Sequence, residues 1–188
     1  MPRSLIACLV ALITLDAYAV GFGLKPGLWE VRVVKQVVDG RDMSAQVAGA
    51  TAQLQQMMAN MPPEQRARIE AMLKDKGVSQ GSDGNFRMCV SPEMAKLDKP
   101  VVDKDGRCQP ATIKHSGNKT NYEFNCSANG ITSSGKGEAT IAGDLITTQT
   151  DATTKNASGT THVMHNESEM KYLGSDCGDV KPPAVPKE

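Results

Sequence analysis

Residues 24–34 read LKPGLWEVRVV. Trp29, Val31 and Val33 fall on one side of an extended chain and Glu30 and Arg32 on the other, the period-two alternation of a strand with one face buried and one wetted. The spacing predicts a strand from Trp29 to about Val38. It opens with the only tryptophan of the chain, and aromatic residues make up just 4% of it. A lone Trp at the start of a strand carries a large apolar body and one N–H that can reach a nearby carbonyl, which suits it to plug an aromatic-poor core.

Outward from this strand the period changes. Leu54, Met57, Met58 and Met61 recur at helical spacing, and after Pro62-Pro63 so do Ile69, Met72 and Leu73. Gly77 is a natural helix stop. Residues 44–76 are therefore expected to form two helices hinged at the prolines and inserted between strands. Beyond Gly84 alternation returns: Phe86, Met88 and Val90 share a face, as do Tyr122, Phe124 and Cys126. The turns at Ser116–Asn118 and Ala142–Asp144 connect Thr- and Ile-rich strands, about 111–115 with 120–126 and 131–141 with 145–154, before a last strand from about Thr160 to Leu173. Seven antiparallel strands in sequence order predict a mainly β meander, curled into an up-and-down barrel or half-barrel. Gly135, Gly137 and Ala139 share its inner face, as do Asn166 and Ser168, so that face is either partly wet or covered. The Met-striped helices are the expected cover.

The first 19 residues combine a positive Arg3, an apolar run from Leu5 to Leu15 and the small-x-small Ala17-Tyr18-Ala19, which predicts a signal peptide cleaved after Ala19 and a periplasmic or secreted chain with no membrane span left. A single domain follows over residues 20–177, and the polar, proline-rich residues 178–188 are expected to be flexible. Cleavage removes Cys8 and leaves Cys89, Cys108, Cys126 and Cys177. An even number in an exported chain predicts two disulfides, with Cys89–Cys108 and Cys126–Cys177 preferred. Cys108–Cys126 depends on register: a two-residue Gly117-Asn118 turn sets them on opposite faces, a three-residue loop aligns them.

Charge is balanced, 21 Lys and Arg against 21 Asp and Glu, so nothing favours nucleic acid as a partner. GITSSGKG at 130–137 approaches a phosphate loop but ends in Gly137 where a hydroxyl must reach magnesium, and it leads into a strand instead of a helix. His162, Met164, His165 and Met170 could hold a soft metal, except that strand geometry points His165 away from His162 and Met164. None of the three histidines stands beside a nucleophile elbow. No catalytic residue, cofactor or metal site is expected.

PGLWEV behind a signal peptide, MPPEQRARIEAML, CVSPE at 89–93, the late order of cysteine, Gly117-Asn118 hairpin, cysteine and Thr-rich hairpin, and YLGSDC at 172–177 together resemble the bacterial exported family known as domain of unknown function 3617. The resemblance implies an exported β-rich protein with paired cysteines and carries no activity. Gly27-Leu28-Trp29 is also similar to the G-x-W that opens the first strand of lipocalin-like barrels. PPEQRARIEAML resembles the helical motif of small periplasmic chaperones, with Arg66, Arg68 and Glu70 as its rim. The expected function is a non-enzymatic binding module holding a small apolar or amphipathic molecule between sheet and helices. Trp29, Phe86, Tyr122, Phe124, Met164, Met170 and Tyr172 would line the space and Met57, Met58 and Met61 would cover it. The alternative is an envelope interaction protein or holdase that presents the helical stripe to a protein partner.

Overall fold

The computed structural model describes residues 24–75, 77–81, 85–96 and 108–183, so the signal-peptide assignment at 1–19 and the end of the tail at 184–188 lie outside the described residues. The expected first strand is β1, Gly27–Val38, followed by the short β2, Arg41–Asp42. The insertion is α1, Ser44–Asn60, and α2, Pro63–Asp75, with the break at Met61-Pro62 where the sequence places it. Then come β3 (Val78–Gln80), β4 (Phe86–Val90), α3 (Pro92–Ala95), β5 (Cys108–Ser116), β6 (Lys119–Ala128), β7 (Ile131–Ala142), β8 (Leu145–Lys155) and β9 (Thr161–Gly174).

All pairings are antiparallel, and the sheet runs β3-β4-β1-β9-β8-β7-β6-β5, with β2 on the free part of β1. The fold is the mainly β half-barrel with a helical insertion that the sequence predicts, and it does not close into a barrel. Among the described residues nine strands replace the expected seven, and their order is not a simple meander. Strands β5 to β9 are joined by tight turns and lie side by side, and β9 then pairs with β1, the contact that closes an up-and-down barrel. The β3–β4 hairpin takes the far edge of β1, leaving the seam between β3 and β5. The reason is local: β4 is followed by α3 instead of a turn, so β5 is not delivered to its edge.

Register places Trp29, Val31, Met88, Met170, Tyr172, Ile146, Ile141, Ala139 and Thr120 on one face and Glu30, Arg32, Glu169, Lys171, Glu138 and Lys119 on the other. Trp29, Val90, Met94, Ala139 and Ile146 form the buried cluster, with Met88, Ile141, Met170 and Tyr172 packed against it. Trp29 is fully buried, its Nε1 donates to the Lys25 carbonyl at 2.8 Å, and its ring tilts against Tyr172 with centroids 5.2 Å apart. α3 contributes Met94 to this cluster. Ser91 caps it by accepting from the Met94 amide at 3.1 Å, and Pro92 stands in its first turn, where a missing N–H costs nothing.

The cysteine pairing corrects the expectation. Cys89 bonds Cys177, with Cα atoms 5.5 Å apart, because β4 and β9 flank the same strand: Leu28 pairs with both Cys89 and Gly174. Cys126 is disulfide-bonded too, and the register sets Cys108 directly opposite it. The β5–β6 turn is the two-residue Gly117-Asn118, whose register would oppose Cys108 to Ser127. A bulge between Gln109 and Thr112 shifts it by one residue, at a Pro110 that has no N–H to give the ladder.

Part of the tail packs on the domain: Val180 is buried, Lys181 Nζ meets Asp75 Oδ1 at 2.6 Å, and Lys74 Nζ meets Asp179 at 3.2 Å.

Candidate functional site

The small residues on the inner face of β7 are explained by their neighbours on β6. Tyr122 pairs with Gly137 and Phe124 with Gly135, and each ring occupies the space beside its partner glycine. A Cβ on Gly137 would stand 2.5 Å from the Tyr122 ring, and one on Gly135 would stand 2.6 Å from the Phe124 ring. The Tyr122 hydroxyl passes over Gly137 to reach Thr150 Oγ1 on β8 at 2.5 Å. Glycine here is room for a cross-strand ring. The covering group expected from the helices is thus supplied, for these glycines, by the sheet itself.

Polar groups on the inner face pair with one another. Thr148 meets Ser168 at 2.6 Å, Ser133 meets Thr154 at 3.1 Å, His115 Nδ1 meets Thr120 Oγ1 at 3.0 Å, and the Gln36 amide reaches the Met164 sulfur at 3.5 Å. Toward β3 the face is more open: Phe86 is 43% exposed and Val33 44%. Of the residues expected to line a site, Tyr122, Phe124, Met164, Met170 and Tyr172 are half-buried on this face and Phe86 stands at its open side. Trp29 belongs to the sealed floor and presents no surface.

The helical insertion buries no residue completely. Its half-buried residues in α1 are Ser44, Val47, Thr51, Gln55 and Met58, and in α2 Arg66, Ile69, Leu73 and Lys74. Met61 is half-buried at the hinge, whereas Met57 is 53% exposed and Met72 52%. Between the two helices and β3 lies a groove of about 640 Å³, walled by Met58, Ala59 and Leu73, with Gln55, Glu70, Lys74, Ser79, Gln80 and Gly81 completing it. Gln80 pairs with Phe86, so it shares the inner face and joins the groove to the open side of the sheet. Its Nε2 is buried without a hydrogen-bond partner, the one such side-chain atom among the described residues. The sequence reading missed Gln80, since β3 is three residues between glycines, too short for alternation to register; Gln55, Glu70 and Lys74 gave no apolar signal.

The histidines do not converge. His162 Nδ1 meets Asp39 at 2.7 Å, and His165 lies on the outer face with Nδ1 at 2.8 Å from Asp151 and Nε2 at 3.2 Å from Glu167. The hydrogen bond to Asp151, then that to Glu167, raises the His165 pKa above its ordinary value. The hydrogen bond from His162, then that from the Val163 amide, lowers the Asp39 pKa. Among the described residues, no group of three or more His, Cys, Asp or Glu is arranged to hold a metal, and no helix is long and apolar enough to cross a membrane.

Three separate sequence segments meet at the sealed end. PGLWEV supplies Trp29, CVSPE supplies Cys89, the buried Val90 and the cap of α3, and YLGSDC supplies Tyr172, whose hydroxyl donates to the Pro26 carbonyl at 3.1 Å, and Cys177. No solved structure matches the chain. A protein of Pseudomonas putida described as an uncharacterized protein in the lpd-3 5' region is 35% identical over 122 residues, 64% of this chain and 79% of that one. Residues 24–177, which hold the plug, both helices of the insertion and the paired cysteines, match the family described as protein of unknown function (DUF3617), and the chain belongs to it.

Proposed function

We propose that this protein is an exported, non-enzymatic binding module that takes a small amphipathic molecule into the groove between the helical insertion and β3. The observation that carries the reading is the groove's composition: a thioether and aliphatic wall of Met58, Ala59 and Leu73 beside Gln80, whose Nε2 is buried and unmatched. Such a donor costs about 1–3 kcal/mol until an acceptor reaches it. Methionine walls adapt to varied apolar shapes. An apolar body ending in a carbonyl or carboxylate oxygen answers both features. The Cys89–Cys177 disulfide supports an oxidising compartment.

Native mass spectrometry of protein recovered from its own cell envelope tests this. The expected result is a bound mass that Leu73→Lys abolishes; bare polypeptide under conditions that retain lipids on known carriers would overturn it.

A second reading, docking of an envelope protein or unfolded client on the insertion, is favoured by Met57 and Met72, which turn more than half their surface to solvent. Substituting both by Gln separates the two: partner capture would be lost, while a groove ligand would be retained.

A further inference from the structure

We propose that residues 177–183 act as a latch that holds the base of α2 against the sheet and thereby fixes the angle of the helical insertion. The latch starts at a covalent anchor, the Cys89–Cys177 bond to β4. From there the chain turns, with the Gly178 amide donating to Asp176 at 2.8 Å and the Val180 amide to the Cys177 carbonyl at 3.1 Å, and it seats Val180 in a buried position. It then grips the last turn of α2 at three points. The Lys181 amide donates to the Lys74 carbonyl at 3.2 Å, Lys74 Nζ meets Asp179 Oδ2 at 3.2 Å, and Lys181 Nζ meets Asp75 Oδ1 at 2.6 Å. The carboxylate of Asp75 raises the Lys181 pKa, as a close pair requires. Pro183 ends the contact by lying on Gly77, where a Cβ would come within 2.5 Å of its ring.

This grip sits where the insertion could pivot. Gly77 follows α2 with φ of 82°, a conformation that glycine alone adopts freely, and α2 has no fully buried residue to hold it otherwise. The reciprocal charge pattern, Lys74 to Asp179 and Asp75 to Lys181, crosses two oppositely charged pairs over one helix end. That crossing specifies one seating of the tail and penalises a shift along the helix by a residue, which would place like charges together. Because Leu73 and Lys74 wall the groove, the latch also sets its width, but the latch stands whether or not the groove holds a ligand.

Hydrogen exchange of the full chain, read by mass spectrometry on peptides from α2 and from β7–β8, tests it with a charge exchange. Lys181→Glu and Asp75→Lys should each speed exchange of α2 amides by up to about fivefold, the upper end for an exposed ion pair replaced by a like-charge contact, and leave β7–β8 unchanged. Asp75→Lys is informative because a cation at a helix C-terminus stabilises the isolated helix, so faster exchange there points to the latch. The double variant Asp75→Lys/Lys181→Glu should return α2 to within about twofold of the parent. Unchanged α2 exchange in both single variants, an equal rise across β7–β8, or a double variant no slower than either single one would each overturn the proposal.

Discussion

The sealed end of the half-barrel and the helical insertion are held by different forces. At the sealed end, Trp29, Val90, Ala139 and Ile146 are buried among apolar neighbours and a disulfide closes the corner. The insertion is held by Ser44 Oγ accepting from the Gln36 amide at 3.0 Å, by half-buried contacts to β1 and β3, and by the tail. Burial scales with apolar area, whereas exposed ion pairs each contribute little. Most of the burial therefore lies in the plug, and the insertion is held mainly by polar and half-buried contacts.

The comparison is broken most severely by Trp29→Ala, which removes the centre of the plug and its bond to Lys25. A loss of about 3–5 kcal/mol is expected, read from urea denaturation. Removing the corner staple with Cys89→Ala/Cys177→Ala should cost about 2–4 kcal/mol, since the bond spans 88 residues of sequence and its loss also frees the start of the tail. Gly137→Val drives a side chain into the Tyr122 ring and the Gln149 carbonyl; about 1–3 kcal/mol should be lost, with tyrosine fluorescence reporting the displaced ring. On the insertion, Met57→Gln with Met72→Gln should change global stability by no more than about 0.5 kcal/mol per site, because both side chains already face water. A loss as large as that at Trp29 would erase the distinction between the two regions.

The smallest expected effect is a change of pH dependence. His165 has a raised pKa from its bonds to Asp151 and Glu167. Its contribution is therefore full below the unfolded value of about 6.5 and is lost as pH rises through the folded one. The difference in urea midpoint between parent and His165→Ala should be larger at about pH 5.5 than at about pH 9. The reverse order would mean that His165 is held as a neutral ring.

Long alternating segments were legible because each strand has one dry and one wet face: β6 to β9 lie within a residue or two of the predicted bounds. β3 and α3 were not, since three or four residues carry no period. The insertion was placed correctly, but its half-buried stripe turned out to include Thr51 and Gln55 while Met57 faces outward. A helix packed against a narrow edge is sheltered along a strip set by that edge, not by its own apolar residues. The same mismatch hid the groove. Its unmatched atom belongs to Gln80, and nothing in Val78-Ser79-Gln80 distinguishes a buried amide from an exposed one.

Periodicity and composition, taken alone, determined which segments extend, which coil and where the helical pair is inserted, because side-chain direction follows from local backbone geometry. They also singled out Trp29 as a candidate core plug, since no other residue in the chain has its volume. Neighbour choice belonged to the tertiary structure: β1 between β4 and β9, Cys89 with Cys177, and the Tyr122 and Phe124 rings over Gly137 and Gly135. Backbone ladders are chemically alike for any two strands, so a turn length, a one-residue bulge at Pro110 and the exit of the chain through α3 decide which side chains meet.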